Sequence, residues 1–440
     1  MRIRIVAAVA LVASLFAVAP SSARTDKPPP AASAAVALAW NANAVAAVRA
    51  ASVIDPQGTA ARPLYQTEGL LYMSYVQAAV YDAATKIGHR YVPYHRFSAA
   101  AGHASLQAAV IAAAYHTLVS YLGDPGGILA AKYAASIAAL PGDRATARGI
   151  AVGQAAAADI EALRADDGRN ASVSTPFGAG PLQPGLWVFA PPPSLQIAQT
   201  PWMAVMHPLM LRSTSQFRAP APPALTSTLY TRDFNETKAY GSATSAVRTA
   251  AQTAIAYFWN ANAISQLNQT LQNVATQHHM DLLDTVRLLA AGNMVPTDAG
   301  MACFDSKYTY QFWRPITAIR NAGIDGNPAT TADPAWTPLV TTPNHPEYPS
   351  QHGCVTSALA QVLANALNTS SINAIIPGAQ GGATTLTTSQ TFATVRDLYA
   401  QLVNARVWIG FHYRNSVIAG ENLGTAVAKW ELHRYFLPTR

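Results

Sequence analysis

The chain has 440 residues, of which 50% are hydrophobic and 12% are charged. This composition excludes a disordered or fibrous protein and predicts a large buried core, in one large domain or two fused bundles. The formal net charge is +7, but the Lys and Arg residues are scattered and do not form the runs that nucleic-acid binding favours. We therefore expect no nucleic-acid partner, and a basic balance that suits a small anion.

The N-terminus has the pattern of a cleaved secretory signal. Arg2 and Arg4 precede an apolar run over residues 5–19, which small residues follow. The interpretation is a signal peptide over residues 1–23 and a secreted or periplasmic protein, whose net charge falls to +5 when Arg2 and Arg4 are removed. Later uncharged stretches, such as residues 104–123, are diluted by polar residues, which predicts no membrane span after cleavage.

The rest of the chain is predicted to be all-α. Apolar residues recur three and four apart, Ala is abundant, and no strand-like alternation persists. The predicted helices run roughly from Ala35 to Ala51, Thr67 to Ile87, Ala104 to Leu122, Ile128 to Ala139, Arg144 to Asp166, Ser227 to Tyr240, Ala243 to Ala263, Ser265 to Gln277, His279 to Val295, Cys354 to Leu367, Thr391 to Arg406 and Ser416 to Tyr435.

Gly and Pro interrupt the helical pattern over residues 172–223, which predicts a long irregular connection that drapes over a pocket or covers the bundle. It is the best candidate for a domain boundary. We predict an N-terminal helical scaffold that includes the connection over residues 24–223, and a C-terminal catalytic region over residues 224–440. The adjacent His278 and His279 point in different directions on a helix, so a surface or capping role is expected for them.

Three segments of the C-terminal half carry candidate site residues. Lys307 and Arg314 are seven residues apart, about two helical turns, so both are predicted to project from one helical face. The intervening residues are mostly aromatic, which argues against a solvated surface, and buried cations need an anion. Alone, such a pair is more often solvated than functional.

The second segment precedes a predicted helix at Cys354. Its Ser350 hydroxyl lies where free backbone N–H groups and the positive end of the helix dipole favour phosphate-like anions, and His352 lies beside it. A Ser at this position is also an ordinary helix cap. The third segment supplies Arg406, whose guanidinium suits bidentate oxyanion contacts, and His412.

Together the order Lys-x6-Arg-Pro, Pro-Ser-x-His, Arg-x5-His resembles the three signature motifs of the vanadium-dependent haloperoxidase and type-2 phosphatidic acid phosphatase superfamily, on its haloperoxidase-like branch. The resemblance covers the C-terminal third of the chain and implies a multi-helix bundle, as two packed four-helix bundles. It also implies vanadate as the cofactor, or phosphate if the protein is a phosphatase. His412 would ligate vanadate or attack phosphorus, and His352 would be the acid–base residue. The residues implied to bind vanadate or phosphate are Lys307, Arg314, Ser350, Gln351 and Arg406.

Two positions depart from the superfamily pattern. Gln351 stands where Gly is usual between Ser350 and His352, so its side chain must point away from the oxyanion or the loop must shift. Ser416 stands where a carboxylate usually orients the imidazole of His412. A Ser416 hydroxyl, Asn415 or a backbone carbonyl would have to replace that carboxylate.

Three functions stay open. The first is a haloperoxidase that oxidises halide with hydrogen peroxide, favoured by the aromatic residues of the first motif and by Pro-Glu-Tyr-Pro before Ser350. The second is an acid phosphatase that hydrolyses phosphomonoesters through a phosphohistidine, and the third is a non-catalytic oxyanion-binding protein. His345 matches a position near the halide that is His in bromoperoxidases and Phe in chloroperoxidases, which favours bromide or iodide.

The two cysteines, Cys303 and Cys354, each lie within four residues of a candidate site residue. A disulfide between them and two buried thiols are both compatible with the sequence. The apolar helical surface is compatible with a homodimer.

Overall fold

The computed structural model describes residues 33–54, 61–173, 177–191 and 196–439. Within these ranges the regular structure is thirteen α-helices and two short antiparallel hairpins, so the all-α prediction is confirmed. The helices are α1 (Ala35–Ala50), α2 (Gln66–Gly88), α3 (Leu106–Leu122), α4 (Ile128–Ala138), α5 (Arg144–Leu163), α6 (Thr228–Gly241), α7 (Ala250–Phe258), α8 (Ala263–Gln277), α9 (Leu282–Tyr310), α10 (Pro315–Arg320), α11 (Gln351–Leu367), α12 (Val395–Trp408) and α13 (Arg414–Leu432). The hairpins are β1 (Ser52–Ile54) with β2 (Ala61–Pro63), and β3 (Ala374–Gly378) with β4 (Thr388–Phe392).

Two groups of four helices make up the core. The first group is α1, α2, α3 and α5, and the second is α9, α11, α12 and α13. The long, almost wholly buried helices α2 and α9 pack against each other and join the two groups. Polar contacts strengthen that junction, because Thr297 donates to Leu70 O and accepts from the Ser74 hydroxyl. The candidate site residues lie on helices of the second group or on the segments that connect them.

Helix α9 is longer than predicted. It continues past Val295, through Pro296, to Tyr310. An internal proline removes one helical hydrogen bond and usually ends a helix. Here the polar residues that follow it are held by tertiary contacts, since the Asp298 carboxylate accepts the backbone N–H groups of residues 209–211. Packing therefore overrides the local signal, and this extension carries Lys307 to the site.

Two other predictions of secondary structure are wrong. The helix predicted from Ala243 to Ala263 is shorter in the structure. Helix α7 begins at Ala250, and the Thr249 side chain caps its N-terminus. The two hairpins were not predicted, because their strands are too short to show a sustained alternation. The second hairpin is relevant to function because β3 lines a cavity described below.

The described part of the connection 172–223 is largely irregular, with two short 3-10 helices at Pro201–Ala204 and Thr214–Phe217. It packs against α9, which agrees with the expected covering role. All described residues lie in one compact unit, and the division near residue 223 stays a prediction. The predicted signal peptide lies outside the described residues. None of the helices in the described ranges is both long and apolar enough to cross a membrane.

Candidate oxyanion site

The three predicted segments meet at the ends of α9, α11 and α12, but not as a single helical face. Lys307 lies in the last turn of α9, which ends at Tyr310, and Gln311 then takes a left-handed conformation with φ of 46°. Arg314 lies beyond this turn in extended conformation, directly before α10. The prediction that both cations share one helix face is therefore wrong. The cause is local. Arg314 directly precedes Pro315, and a residue in that position disfavours helical geometry.

The three cations are buried and hydrogen bond mainly to backbone carbonyl groups. Lys307 Nζ donates to Pro346 O at 2.7 Å and to Glu347 O at 2.9 Å. Arg314 Nε donates to the backbone of His345 at 2.8 Å. Arg406 donates through one terminal nitrogen to the backbone of Trp259, whereas its buried Nε has no hydrogen-bond partner among the described residues. These contacts hold the cations in position without neutralising them.

Burial lowers the pKa of each cation. The pKa of Lys307 falls to about 8, that of Arg406 to about 9 and that of Arg314 to about 10. For Arg406 the charge of Arg314 adds to the effect of burial. Three buried cations this close are unfavourable unless an anion joins them, because desolvation and mutual repulsion both disfavour the charged forms. The electrostatics of the cluster therefore favour an anionic ligand.

His412 is reached through a turn that requires glycine. Helix α12 ends at Trp408, and Gly410 then has φ of +81°. A Cβ atom on Gly410 would lie 2.5 Å from Gly241 O. The turn brings His412 into the buried cluster, where its side chain is held by a carboxylate.

That carboxylate is Glu347, which the sequence reasoning missed. His412 Nδ1 lies 2.8 Å from Glu347 Oε1, which also accepts the backbone N–H of Tyr413 at 3.1 Å. Arg314 Nη1 lies 3.4 Å from His412 Nε2 and can only donate, so Nε2 is the acceptor and the ring proton is on Nδ1. Burial, followed by the nearby cations, lowers the pKa of His412 well below its usual value. The neutral ring thus presents an Nε2 lone pair to the site.

Ser416 does not have the orienting role considered for it. Its hydroxyl donates to the backbone carbonyl of Glu347 at 3.4 Å, and does not contact the imidazole. The orienting carboxylate comes from the second motif instead of the third. A glutamate placed between two prolines, Pro346 and Pro349, was the available signal, because this segment was already predicted to lie at the site.

Helix α11 begins at Gln351, earlier than the predicted start at Cys354, so Ser350 directly precedes it, but the Ser350 side chain does not cap the helix. Its buried Oγ has no hydrogen-bond partner among the described residues. The hydroxyl is therefore available to a ligand. The alternative, that Ser350 is an ordinary helix cap, does not agree with this arrangement. Gln351 lines the same cavity as His352, and its amide lies beside Gly300 of α9.

His352 has a buried Nε2 without a partner in the described structure. Burial, followed by the charge of Arg406, lowers its pKa well below the usual value. The ring is therefore neutral near pH 7 and can accept a proton. His345 is held by Arg314, whose Nη2 lies 3.0 Å from Nδ1, and its ring packs on Phe304.

A cavity of about 380 Å³ adjoins these groups. Its wall includes His345, Gln351, His352, Arg406 and His412. Three predicted residues do not line the cavity but lie next to residues that do. Arg314 contacts His345 and His412, Lys307 donates to the backbone of Pro346 beside His345, and Ser350 precedes Gln351. All eight predicted site residues are thus brought to one end of the cavity.

Cys303 and Cys354 are free thiols and are both fully buried. Cys303 Sγ lies 3.6 Å from Pro349 O, and the Cys354 thiol is within hydrogen-bonding reach of Cys303. The two free thiols therefore lie at the contact of α9 with α11 and with the segment that precedes α11. The predicted surface role of His278 and His279 agrees with their exposure just after α8.

The region that holds the site is similar to known proteins. Residues 287–436, which include every candidate site residue, match the model of the VCPO second helical-bundle domain. These residues therefore match a domain of the vanadium haloperoxidase family. The resemblance predicted from the three motifs is thereby confirmed. Vanadium chloroperoxidase of Curvularia inaequalis is 33% identical over 90 residues, which are 18% of this chain and 14% of that protein.

Two solved structures extend the likeness of the haloperoxidase fold to most of the chain. A bacterial vanadium-dependent iodoperoxidase superposes with a TM-score of 0.72 at 18% identity, over 91% of this chain and 96% of that one. A holo-type bacterial vanadium-dependent chloroperoxidase gives a TM-score of 0.64 at 20% identity, over 82% of this chain and 90% of that one. At these identities the likeness concerns the fold. It covers the N-terminal helices, which the motifs do not reach.

Proposed function

We propose that this protein is a vanadate-dependent haloperoxidase that oxidises bromide or iodide with hydrogen peroxide. The observation that carries the proposal is the state of His412. Its Nδ1 is bonded to Glu347, and its Nε2 lone pair faces a cluster of three buried cations. A metal oxyanion needs both a neutral nitrogen ligand and positive charge around its oxygens.

The residues present fit vanadate. Lys307, Arg314 and Arg406 would hold its oxygens, together with the Ser350 hydroxyl, and His412 Nε2 would bind the metal. Ser350 Oγ and Arg406 Nε have no partner in the part of the chain that the structure describes, which supports this assignment because buried polar atoms normally have partners. Bound vanadate would supply Lewis-acid activation of hydrogen peroxide without a change of oxidation state.

The protein's own residues would handle the proton and the halide. His352, neutral and unpartnered at Nε2, is suited to take a proton from hydrogen peroxide. His345 lies on the cavity wall beside Arg314, where an incoming halide would pass, and it supports the preference for bromide or iodide. Gln351 would flank the bound oxyanion. The apolar run after Arg2 and Arg4 supports secretion or periplasmic export of the enzyme.

The test uses purified protein that has been incubated with vanadate and freed of excess. Hydrogen-peroxide-dependent bromination of phenol red is measured beside hydrolysis of p-nitrophenyl phosphate by the vanadate-free protein. His412→Ala is the variant that removes the proposed ligand, and Leu163→Ala, at an exposed position on α5, is the control for handling and stability.

Bromination that requires both vanadate and His412 is the expected result. Hydrolysis without vanadate that is lost in His412→Ala would overturn the proposal in favour of a phosphatase acting through a phosphohistidine. Binding of vanadate with neither activity would overturn it in favour of an oxyanion-binding protein. All three functions would depend on the same site. The two activity assays therefore decide between them, and the affinity for vanadate does not.

A further inference from the structure

The cavity beside His412 is larger than the proposed halide oxidation needs. Its volume of about 380 Å³ falls in the range of ligand pockets, about 300–1,000 Å³. A water molecule occupies about 30 Å³, and hydrogen peroxide or a halide is of comparable size. Most of the volume is therefore left for a larger molecule.

The cavity extends away from the site along two helices. On α11 the lining residues His352, Val355, Thr356 and Leu359 follow the i, i+3, i+4, i+7 spacing of one helical face. Seven residues of helix correspond to about 10 Å, so Leu359 lies about 10 Å along the helix axis from His352. The cavity thus reaches two turns beyond the acid–base residue.

Helix α8 lines the cavity with the same spacing. Its face is formed by Ala263, Gln266, Leu267 and Thr270. The two polar members already use their donors within the protein, since Gln266 Nε2 donates to the Pro377 carbonyl at 2.9 Å and Thr270 Oγ1 donates to Gln266 O at 2.7 Å. The wall that α8 presents therefore offers apolar surface at Ala263 and Leu267 and no charged group.

The charges on the lining select the class of ligand. Among the described residues that form the wall there is no Asp, Glu or Lys, and the full positive charge comes from Arg406 at the oxyanion end. An ammonium substrate would find no counter-ion here, and a second anion would compete with the oxyanion for Arg406. Beyond Arg406, Leu70 of α2 and Ile376 of β3 add apolar surface. The lining also includes the exposed Thr384, so part of the wall reaches the surface.

We propose that this chamber binds a neutral, apolar organic molecule, such as a two-ring aromatic, as the acceptor of the oxidised halogen. The inference rests on the proposed haloperoxidase function. Bromide, hydrogen peroxide and a proton give hypobromous acid and water. The acceptor's π electrons then attack bromine, the Br–O bond breaks as the C–Br bond forms, and the ring proton joins the released hydroxide as water. Halogenation would thus be selective for molecules that fit the chamber.

The experiment measures binding and turnover separately, with 2-naphthol as the probe. Binding to the vanadate-loaded enzyme is followed by naphthol fluorescence without peroxide or halide. Leu359→Trp places an indole in the chamber, and Ile376→Trp does so from β3 if the first variant melts at a lower temperature than the wild type. Ile418→Trp, at an exposed position on α13, is the matched control.

We expect one naphthol per wild-type chain, an affinity at least tenfold weaker in Leu359→Trp, and wild-type affinity in Ile418→Trp. In turnover with bromide, KM for naphthol should rise at least tenfold in Leu359→Trp. The ratio of naphthol bromination to triiodide formation from iodide should fall by a similar factor.

Absence of naphthol binding by the wild type would overturn the inference. So would binding together with a bromination-to-triiodide ratio that Leu359→Trp leaves unchanged, because the acceptor would then react outside the chamber. Triiodide formation by the wild type reports on the proposed function independently. Its absence beside naphthol binding would overturn the haloperoxidase function and, with it, the acceptor role.

Discussion

The Nδ1 atom of His412 lies 2.8 Å from the carboxylate of Glu347, a residue 65 positions earlier in the chain. Both side chains are almost completely buried. Burial raises the pKa of Glu347 to about 7, and the charges of Lys307 and Arg314 oppose that rise. The hydrogen bond from Nδ1 thus holds the ring in the tautomer whose Nε2 carries the lone pair, and that lone pair faces Arg314.

Replacing Glu347 with Gln should weaken vanadate binding by about 10–100-fold, the usual effect of removing the partner that orients a metal-binding His. The shape of the side chain is kept, but the carboxylate acceptor for Nδ1–H is lost. Vanadate affinity is measured by equilibrium dialysis. Ser416→Ala is the comparison variant and should change it less, because the Ser416 hydroxyl contacts Glu347 and is not the acceptor of the His412 Nδ1 proton. The reverse order of effects would restore Ser416 as the orienting residue.

Replacing His345 with Phe should lower the preference for bromide and iodide over chloride. The Arg314 guanidinium would lose its contacts with the imidazole, but it would keep its bonds to the backbone carbonyls of residues 345 and 411. The site should therefore stay assembled while the wall met by the halide changes. Relative kcat/KM for the three halides is the measurement. An unchanged preference would remove His345 from the halide site.

The helices near the site show what could be predicted from sequence. Start signals and apolar periodicity predicted α1, α2 and α8 to within a few residues, because their ends depend on local residues. The passage of α9 through Pro296 could not be predicted, since the contacts of Asp298 with residues 209–211 come from a distant segment. The site residues were located differently, because three motifs taken together resemble those of a known superfamily.

The contacts between site residues were harder to predict than which residues belong to the site. The link between Glu347 and His412 depends on how the segment before α11 packs on the turn at Gly410. No spacing in the sequence encodes that contact. The Ser350 hydroxyl is a similar case. Sequence alone does not separate a helix cap from a ligand-binding group, whereas the described residues provide no hydrogen-bond partner for its Oγ.

Cys303 and Cys354 should behave as two inaccessible thiols. Both are fully buried, so a thiol reagent such as DTNB should react with neither in the folded protein. After unfolding in guanidinium without reductant, we expect two equivalents to react. A protein produced in an oxidising compartment that gives none would carry a disulfide instead, and prior reduction with dithiothreitol provides the control.

Replacing Gly420 with Ala should disturb the site through the backbone. Helices α11 and α13 pack so closely that a Cβ atom on Gly420 would lie 2.5 Å from Ser350 O. We expect a loss of about 1–3 kcal/mol in the free energy of unfolding, as for other overpacked positions, together with weaker vanadate binding. Gly323→Ala is the control, because a Cβ atom there meets nothing within 4 Å. Equal stability of the two variants in urea would show that α13 moves aside freely.

Glu431 offers a test of pH dependence away from the site. It is fully buried beside Asp298 at the contact of α13 with α9, and burial raises its pKa well above the usual value, with the Asp298 charge adding to the rise. A raised pKa in the folded state means that folding favours the protonated acid. The contribution to stability is then complete below the pKa of the unfolded chain and is lost as pH rises toward the folded value. Each unit of difference corresponds to about 1.4 kcal/mol.

Glu431→Gln removes this titration and keeps the neutral shape. The variant should therefore be close to the wild type in stability at pH 4 and more stable than it at pH 8, by urea unfolding of the vanadate-free protein. Glu161→Gln, at an exposed position on α5, should show no such crossover. If Glu431→Gln were less stable than the wild type at pH 8, the carboxylate would be held in its charged form, and the direction of its pKa shift would be wrong.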